Sequence, residues 1–355
     1  MRIAVGLSGG VDSAVALALL KEKGHDVFGV MMKLWNGEYK TTKKHACYGP
    51  NETEEIERAE AVCREVKVPF YIFDCSEEYK RIVLAYFRTE YMSGRTPNPC
   101  IKCNHEVKFG LLPHLIKQAG LSFEKFATGH YARIVYDDKL NRYVLMKAVD
   151  KAKDQSYFLY RLTQDQLSKT VFPLGSMLKH EVVCLAKMKH LPVNPEEESQ
   201  DFYAGDYRKL VGSEPSKGDI VDINGKVLGK HNGIWNYTIG QRKGLGISFT
   251  QPLYVISIKG ERNEIVVGTK QQAMRSSFIV NDIAYGALNS INPPLRATVK
   301  IRSNHRGSPA RIVRVSGSII QVQLDSPCNA ITPGQSAVFY NKDKVLLGGI
   351  IDSVI

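Results

Sequence analysis

Residues Ser8-Gly9-Gly10-Val11-Asp12-Ser13 constrain the fold more than any other stretch of the chain. They follow Ile3-Ala4-Val5-Gly6-Leu7, an apolar run of strand length, and precede Ala14–Leu20, an Ala/Leu segment that Gly24 can end. A buried strand feeding a helix through a glycine turn is the opening unit of a parallel α/β sheet. Two glycines let backbone N–H groups approach phosphate oxygens, and the helix N-terminus adds partial positive charge. Ser8 and Ser13 supply hydroxyls, and Asp12 is placed to hold the Mg2+ that accompanies a nucleotide. No Gly-Lys-Ser/Thr ending follows, which excludes the Walker loop that moves a terminal phosphoryl group. A turn without a ligand would explain two glycines alone, but not the serine–aspartate–serine spacing around them.

A chain of 355 residues is long enough for two or three domains, each with its own core. Lys and Arg number 48 against 36 Asp and Glu, a formal net charge of +12. That excess favours a polyanionic partner such as RNA. No window is long and apolar enough to span a membrane, and the N-terminus enters a strand directly, so no membrane association is expected. Seven cysteines, an odd number in a large chain, argue against a secreted disulfide framework. A reducing cytoplasm suits them better, and their spacing then reads as chemistry.

Residues 1 to about 204 alternate strand and helix patterns, which predicts a doubly wound parallel-sheet domain of the α/β class. Strands are expected at Val27–Met32, Pro69–Asp74 and Phe123–Thr128. Helices are expected from an Asn51 or Thr53 cap towards Val66, over Glu77–Tyr91, and over Asn104–Ala119 with a kink at Pro113. The polar, basic stretch Leu34–Asn51 reads as a mobile loop. Beyond about residue 205 short alternating segments take over, with an Asn224-Gly225 hairpin turn between Ile220–Ile223 and Lys226–Leu228. This predicts a small central β-rich domain over 205–272 and a C-terminal β-barrel over 273–355. From residue 271 onward there are nine Lys/Arg and four Asp/Glu, which makes a basic face a candidate RNA platform.

Thr96-Pro97-Asn98-Pro99-Cys100-Ile101-Lys102-Cys103-Asn104 is the second landmark. Cys103 is expected just before a helix that Asn104 caps. That helix end, together with Lys102, should lower the thiol pKa and make Cys103 partly thiolate and nucleophilic. The Cys-x-x-Cys spacing suits a redox pair, half a zinc site, or two thiolates of an iron–sulfur cluster. Structural zinc is weakened because no second Cys-x-x-Cys or His pair follows. Thr128-Gly129-His130-Tyr131-Ala132 falls at a strand end, the edge where ligands bind in parallel sheets. Lys153-Asp154-Gln155-Ser156-Tyr157-Phe158-Leu159 combines a cation, an amide and aromatics, suited to phosphate contact and base stacking. Tyr237–Gly246, with Gln241-Arg242-Lys243 inside it, is a glycine-punctuated basic loop that could follow a nucleic-acid backbone.

The first landmark resembles the PP-loop of ATP pyrophosphatases, which cleave ATP between its alpha and beta phosphates. With the stretches above, and with Glu198-Ser199-Gln200-Asp201 and Thr332-Pro333-Gly334-Gln335, the chain resembles tRNA-specific 2-thiouridylases from residue 6 to about 335. The resemblance implies a PP-loop domain, a small central domain and a C-terminal barrel. The implied activity is ATP-dependent replacement of the 2-keto oxygen of the wobble uridine by sulfur, on the anticodon stem-loop of tRNA. It assigns Gly6, Leu7, Ser8, Gly9, Gly10, Val11, Asp12, Ser13, Met32 and Gly129 to ATP. Asn98, Pro99 and Cys100 would meet the target base. His130, Lys153, Asp154, Gln155, His305, Arg306 and Gln335 would contact tRNA, and Cys103 matches the catalytic nucleophile.

Two positions depart from that family's pattern. Many members carry Asp where Cys100 stands, and the usual Ile-Cys-Phe after Glu-Ser-Gln-Asp becomes Phe202-Tyr203-Ala204 here. Tyr203 thus occupies the place of a cysteine that carries a persulfide, and a phenol cannot hold that sulfur. Cys100 and Cys103 are then expected to act together, either relaying a persulfide or binding an iron–sulfur cluster with Cys47 or Cys184 as a further ligand. The sulfur would come from a donor protein or from sulfide. The competing expectation is a tRNA-binding PP-loop protein that has lost sulfur transfer.

Overall fold

The computed structural model describes residues 1–37, 46–195, 201–203, 210, 212 and 216–355. The chain divides into two compact units. One comprises Met1–Val83, Pro99–Asp206 and Asp343–Val345; the other comprises Leu84–Asn98, Tyr207–Lys342 and Leu346–Ile355. The Glu198-Ser199-Gln200 stretch lies outside the described residues.

The first unit is built on five parallel strands: β1 (Arg2–Gly6), β2 (Asp26–Lys33), β4 (Phe70–Asp74), β5 (Lys125–Thr128) and β8 (Thr170–Val171). Their order is β4-β2-β1-β5-β8, with β1 at the centre. Ile3, Ala4 and Val5 of β1 are fully buried, which is why this strand reads as a continuous apolar run rather than an alternating one. Helix α1 (Val11–Glu22) is also apolar nearly all round. It lies between the sheet, helix α2 (Glu52–Val66) and the helix Lys179–Met188. Burying Val15 and Leu17 completely contributes roughly 1.5–3 kcal/mol each.

Two expectations about this unit are corrected. The stretch Leu34–Asn51 holds a strand, β3 (Ala46–Tyr48), paired in parallel with β9 (Asp201–Tyr203); residues 38–45 lie outside the described residues. The pairing partner is some 150 residues away in sequence, so local pattern could not reveal it. The helix expected from Asn104 instead starts at Pro99 and runs as Pro99–Lys102, Cys103–Leu111 and Leu112–Gln118. Its middle section is wound in the wider π register, and Pro113 sits in the first turn of the last section, where a missing N–H is tolerated. Asn104 therefore caps nothing; its Nδ2 donates to the Phe158 carbonyl at 3.2 Å. The helix α2 likewise has Asn51 at its N-cap position but no side-chain cap.

The second unit holds a four-stranded sheet and a barrel. The sheet order is Val227–Asn232, Lys217–Val221, Glu264–Gly268, Tyr254–Lys259, over a core that includes Ile220, Val255, Ile265 and Val267. The expected hairpin turn is present: Gly225 has φ +85°, and Asp222 Oδ1 accepts from the N–H groups of Asn224 and Lys226. Six strands make the barrel, in the order Arg275–Tyr285, Ile319–Cys328, Ser308–Ser316, Leu295–Lys300, Ser336–Asn341, Lys344–Val354. The last pairs antiparallel with the first and closes it.

Candidate active site

The site begins where β1 leaves the sheet. Gly6 pairs with Val30 of β2 and Thr128 of β5, so Leu7–Gly10 and Gly129–Tyr131 emerge at the same edge. The loop closes on itself: Ser8 N–H donates to Ser13 Oγ at 3.2 Å, and Ser13 Oγ donates to the Gly10 carbonyl at 3.0 Å. The Ser13 hydroxyl is thereby committed to the loop's shape, whereas Ser8 is exposed. Gly9 has φ +71°, and a Cβ there would lie 2.7 Å from the Glu55 carbonyl oxygen of α2. At Gly129 a Cβ would lie 2.7 Å from Ser13 N and from the Asp12 carbonyl carbon. Both glycines are required by close backbone approach, and together they set the loop against the first turn of α1. N–H groups at that helix end are the donors an oligophosphate needs.

Asp12 is held from two directions. Tyr131 Oη donates to its Oδ1 at 2.8 Å and Lys179 Nζ to the same oxygen at 2.7 Å. Lys179 opens the helix Lys179–Met188 and is largely buried, at 14% side-chain exposure. Sequence reading missed both partners. Lys179 lies 167 residues from Asp12 in a stretch with no motif, and only the packing of its helix on α1 brings it there. Asp12 Oδ2 is the carboxylate oxygen left for a cation. One carboxylate oxygen beside substrate phosphates and water is the donor set Mg2+ favours, so the residues fit that ion.

The Lys153–Leu159 motif is tied into the same place. Gln155 Oε1 accepts from the Tyr131 N–H at 2.9 Å, and Gln155 N–H donates to the Tyr131 carbonyl at 2.8 Å. Asp154 faces inward: Oδ1 accepts from the N–H groups of Ala148 and Ser156, and Oδ2 from Ser156 Oγ. Asp154 and Gln155, both expected as tRNA contacts, also shape the loop that carries Lys153. Phe158 N–H donates to the Gln155 carbonyl, and the Phe158 carbonyl accepts from Asn104. An unbroken series of contacts thus runs from Asp12 through Tyr131, Gln155 and Phe158 to the residue after Cys103. His130 lies between Phe109, tilted at 45°, and Phe172, edge-on at 68°, with Nδ1 2.7 Å from Thr128 Oγ1. Burial holds its pKa well below the usual imidazole range, and the nearby Lys108 pushes the same way, so His130 is neutral.

The thiols differ sharply. Cys63 and Cys75 are buried core residues whose pKa burial pushes up to about 12. Cys100 and Cys103 are half-buried, and Cys47 and Cys184 are exposed. The expected low pKa of Cys103 is corrected: burial pushes it up to about 11, further raised by Cys47 and only partly offset by Lys108. Cys103 sits inside a helix rather than at its N-terminus, so the helix end does not serve it, and the Lys102 ammonium pairs with Glu106. Among the described residues no three His, Cys, Asp or Glu side chains are arranged to hold a metal ion. The cluster reading of Cys100 and Cys103 therefore lacks support.

In the second unit, Arg242 and Lys243 are exposed on a loop folded tightly by Gly240, Gly244 and Gly246, all at positive φ. Arg306 is exposed beside His305, whose pKa is lowered by burial and then by Arg302 and Lys300. Gln335 faces inward, its Nε2 donating to the carbonyls of Thr96 at 3.1 Å and Pro97 at 3.2 Å. Met32 pairs with Phe73 near the C-terminal end of β2.

Models of three domain families match in succession: the tRNA methyl transferase HUP domain over residues 1–203, the tRNA methyl transferase PRC-barrel domain over 209–269, and the aminomethyltransferase beta-barrel domain over 275–351. The tRNA-specific 2-thiouridylase MnmA of Endomicrobium trichonymphae is 49% identical, the match covering 99% of each chain. That of Caldicellulosiruptor saccharolyticus is 41% identical, covering all of this chain and 99% of its own. A solved 4-thiouridine synthetase–RNA complex with bound ATP covers 59% of this chain and 49% of its own, at 14% identity and a TM-score of 0.34. A PP-loop nucleotide-binding domain followed by a PRC-type domain and a β-barrel defines the class. The chain belongs to the family of tRNA-specific 2-thiouridylases.

Proposed function

We propose that this chain catalyses the ATP-dependent 2-thiolation of the wobble uridine in tRNA. The observation that carries the reading is the series of contacts joining Asp12 of the phosphate loop to the Cys103 helix within one unit. Adenylation and sulfur transfer need a nucleotide site and a thiol beside one base.

In the first step the uracil 2-keto oxygen attacks the alpha phosphorus of ATP. The new O–P bond forms as the bond to the beta phosphate's bridging oxygen breaks, releasing pyrophosphate. Gly6 to Ser13, with Met32 and Gly129, bind ATP, and the α1 N–H groups and Lys179 meet its phosphate charge. Magnesium bound at Asp12 would neutralise phosphate charge. In the second step sulfur attacks C2, and the oxygen departs with AMP. Sulfur held as a persulfide on Cys103 is transferred when Cys100 attacks the Cys103 sulfur. That attack leaves a Cys100–Cys103 disulfide, which an external dithiol must reduce. Persulfide relay is preferred to an iron–sulfur cluster because no third metal ligand stands beside the thiols among the described residues.

Residues 1–204 are the catalytic domain, and 205–272 and 273–355 bind tRNA. Asn98, Pro99 and Cys100 meet the base, with Lys153, Arg242, Lys243 and Arg306 on the phosphates. His130, Asp154, Gln155, His305 and Gln335 complete the tRNA-contacting set. No helix among the described residues is long and apolar enough to cross a membrane; the compartment proposed is the reducing cytoplasm that seven cysteines suit. The test is pyrophosphate release on adding tRNA to protein and ATP, with mass spectrometry of the wobble uridine. Release together with 2-thiouridine supports the reading. No pyrophosphate release from a protein that still binds tRNA would overturn it in favour of a tRNA-binding protein that has lost sulfur transfer.

A further inference from the structure

We infer that Arg95 is a positioning residue for the target base: with Gly334 it clamps Arg95-Thr96-Pro97 to the barrel and so fixes where Asn98, Pro99 and Cys100 stand. This rests on the thiolation reading above, in which those three residues meet the wobble uridine, and adds the device that places them.

The chain leaves the first unit after Val83, contributes Leu84–Asn98 to the second, and re-enters the first at Pro99. Asn98 and Pro99 are therefore the return crossing, and the helical run that carries Cys100 and Cys103 follows at once. Whatever holds residues 94–97 sets the point from which the base-meeting residues start.

Both modules of the second unit supply that hold. Gly94 lies against the central sheet, where a Cβ would come within 3.0 Å of Ile258 Cγ2 and 3.2 Å of the Ile258 carbonyl oxygen. Arg95 then spreads its guanidinium over three partners. Nε donates to Glu90 Oε2 at 2.8 Å, Nη1 to the Asp352 carbonyl at 3.2 Å and Nη2 to the Ile351 carbonyl at 3.3 Å. Ile351 and Asp352 belong to the last barrel strand, and Glu90 to the helix Ala85–Met92. The next residue is gripped through its backbone: Thr96 N–H donates to the Pro333 carbonyl at 2.9 Å. A Cβ on Gly334 would lie 2.8 Å from Thr96 N, so that contact leaves no slack. The Gln335 bonds to the Thr96 and Pro97 carbonyls complete the clamp.

The side chain of Arg95 is 24% exposed and that of Glu90 21%. An arginine that met RNA phosphate would turn donors outward, whereas all three nitrogens of Arg95 donate within the protein. A planar fork held this way fixes direction as well as distance. RNA seated on the central sheet and barrel is then seated on the bodies that grip residues 94–97. Loosening the clamp should leave RNA affinity intact and misplace the base relative to the alpha phosphorus. A misplacement of about 1 Å costs on the order of 100-fold in rate.

The experiment measures tRNA-dependent pyrophosphate release and tRNA affinity on the full-length protein. Arg95→Gln should lower kcat roughly 10- to 100-fold, with the tRNA Kd and its salt dependence as in wild type. Arg95→Lys keeps the charge, but one ammonium cannot span both carbonyls and Glu90, so it should show the same loss. It also serves as the milder change should Arg95→Gln not fold. Gly334→Ala presses on Thr96 from the other side and should show the same split. Wild-type kcat in either Arg95 variant would overturn the inference. So would a Kd that rises as much as kcat falls, with a shallower salt slope, which would make Arg95 an RNA contact. Failure of the underlying reading shows separately, as a wild-type protein that releases no pyrophosphate, and it takes the inference with it.

Discussion

Lys179 Nζ lies 2.7 Å from Asp12 Oδ1, joining two helices that start 168 residues apart in sequence. The pair stands at the phosphate loop, and Tyr131 shares the same carboxylate oxygen. Lys179→Ala removes a cation from the place where ATP phosphates would gather. Pyrophosphate release should fall about 100-fold or more, the scale seen when one charge-stabilising donor is lost. Asp12→Ala should also abolish release, and the double variant should be no worse than the more damaging single one, because the residues act as a unit. Wild-type release by a folded Asp12→Ala protein would remove the loop from the mechanism.

Gly129→Ala tests the close approach of the two loops. The added Cβ meets backbone atoms at 2.7 Å, and backbone cannot rotate aside as a side chain can. A loss of roughly 1–3 kcal/mol of stability is expected, along with weaker ATP binding. Denaturant melts and nucleotide titration measure both; an unchanged melt and unchanged affinity would show that the loops can separate freely.

Thiol reactivity should follow environment. Cys103, held at about 11, should react slowly with iodoacetamide near neutral pH. Its rate should then climb about tenfold per pH unit towards 11 as the thiolate fraction rises. Cys63 and Cys75, pushed up to about 12 and buried, should react only on unfolding. Alkylation followed by peptide mass spectrometry reads all three, and rapid modification of Cys103 at neutral pH would contradict the burial argument.

Binding of tRNA should weaken steeply with salt, since each neutralised phosphate releases counterions. Replacing exposed Arg242, Lys243 or Arg306 by Ala should weaken binding and reduce the slope of log K against log salt by about one per lost contact. Equilibrium binding over a salt series checks this. Slopes equal to wild type in all three variants would move the RNA surface elsewhere.

Gln335→Leu removes two hydrogen bonds that hold the Thr96 and Pro97 carbonyls. The cost should be about 1–3 kcal/mol, since two part-buried acceptors lose their donor. A melt that matches wild type would show that this backbone is held by other contacts.

The sequence by itself determined the architecture and the phosphate loop. Strand β1 and helix α1 are buried on all sides, so each carries an unbroken apolar signal, and the glycines between them can serve only a turn of this kind. The Asn224-Gly225 hairpin was legible for the same local reason. Tertiary structure alone decided what surrounds each reactive group. Lys179 reaches Asp12 through helix packing, and Ala46–Tyr48 becomes a strand only because Asp201–Tyr203 lies beside it. Local sequence placed Cys103 at a helix end with a low pKa, yet the helix begins at Pro99 and the thiol is held near 11. A pKa depends on the solvent and charge that neighbouring elements remove or supply, and those neighbours are distant in sequence. Periodicity records how one element meets a core, and it carries no information about which other element completes a site.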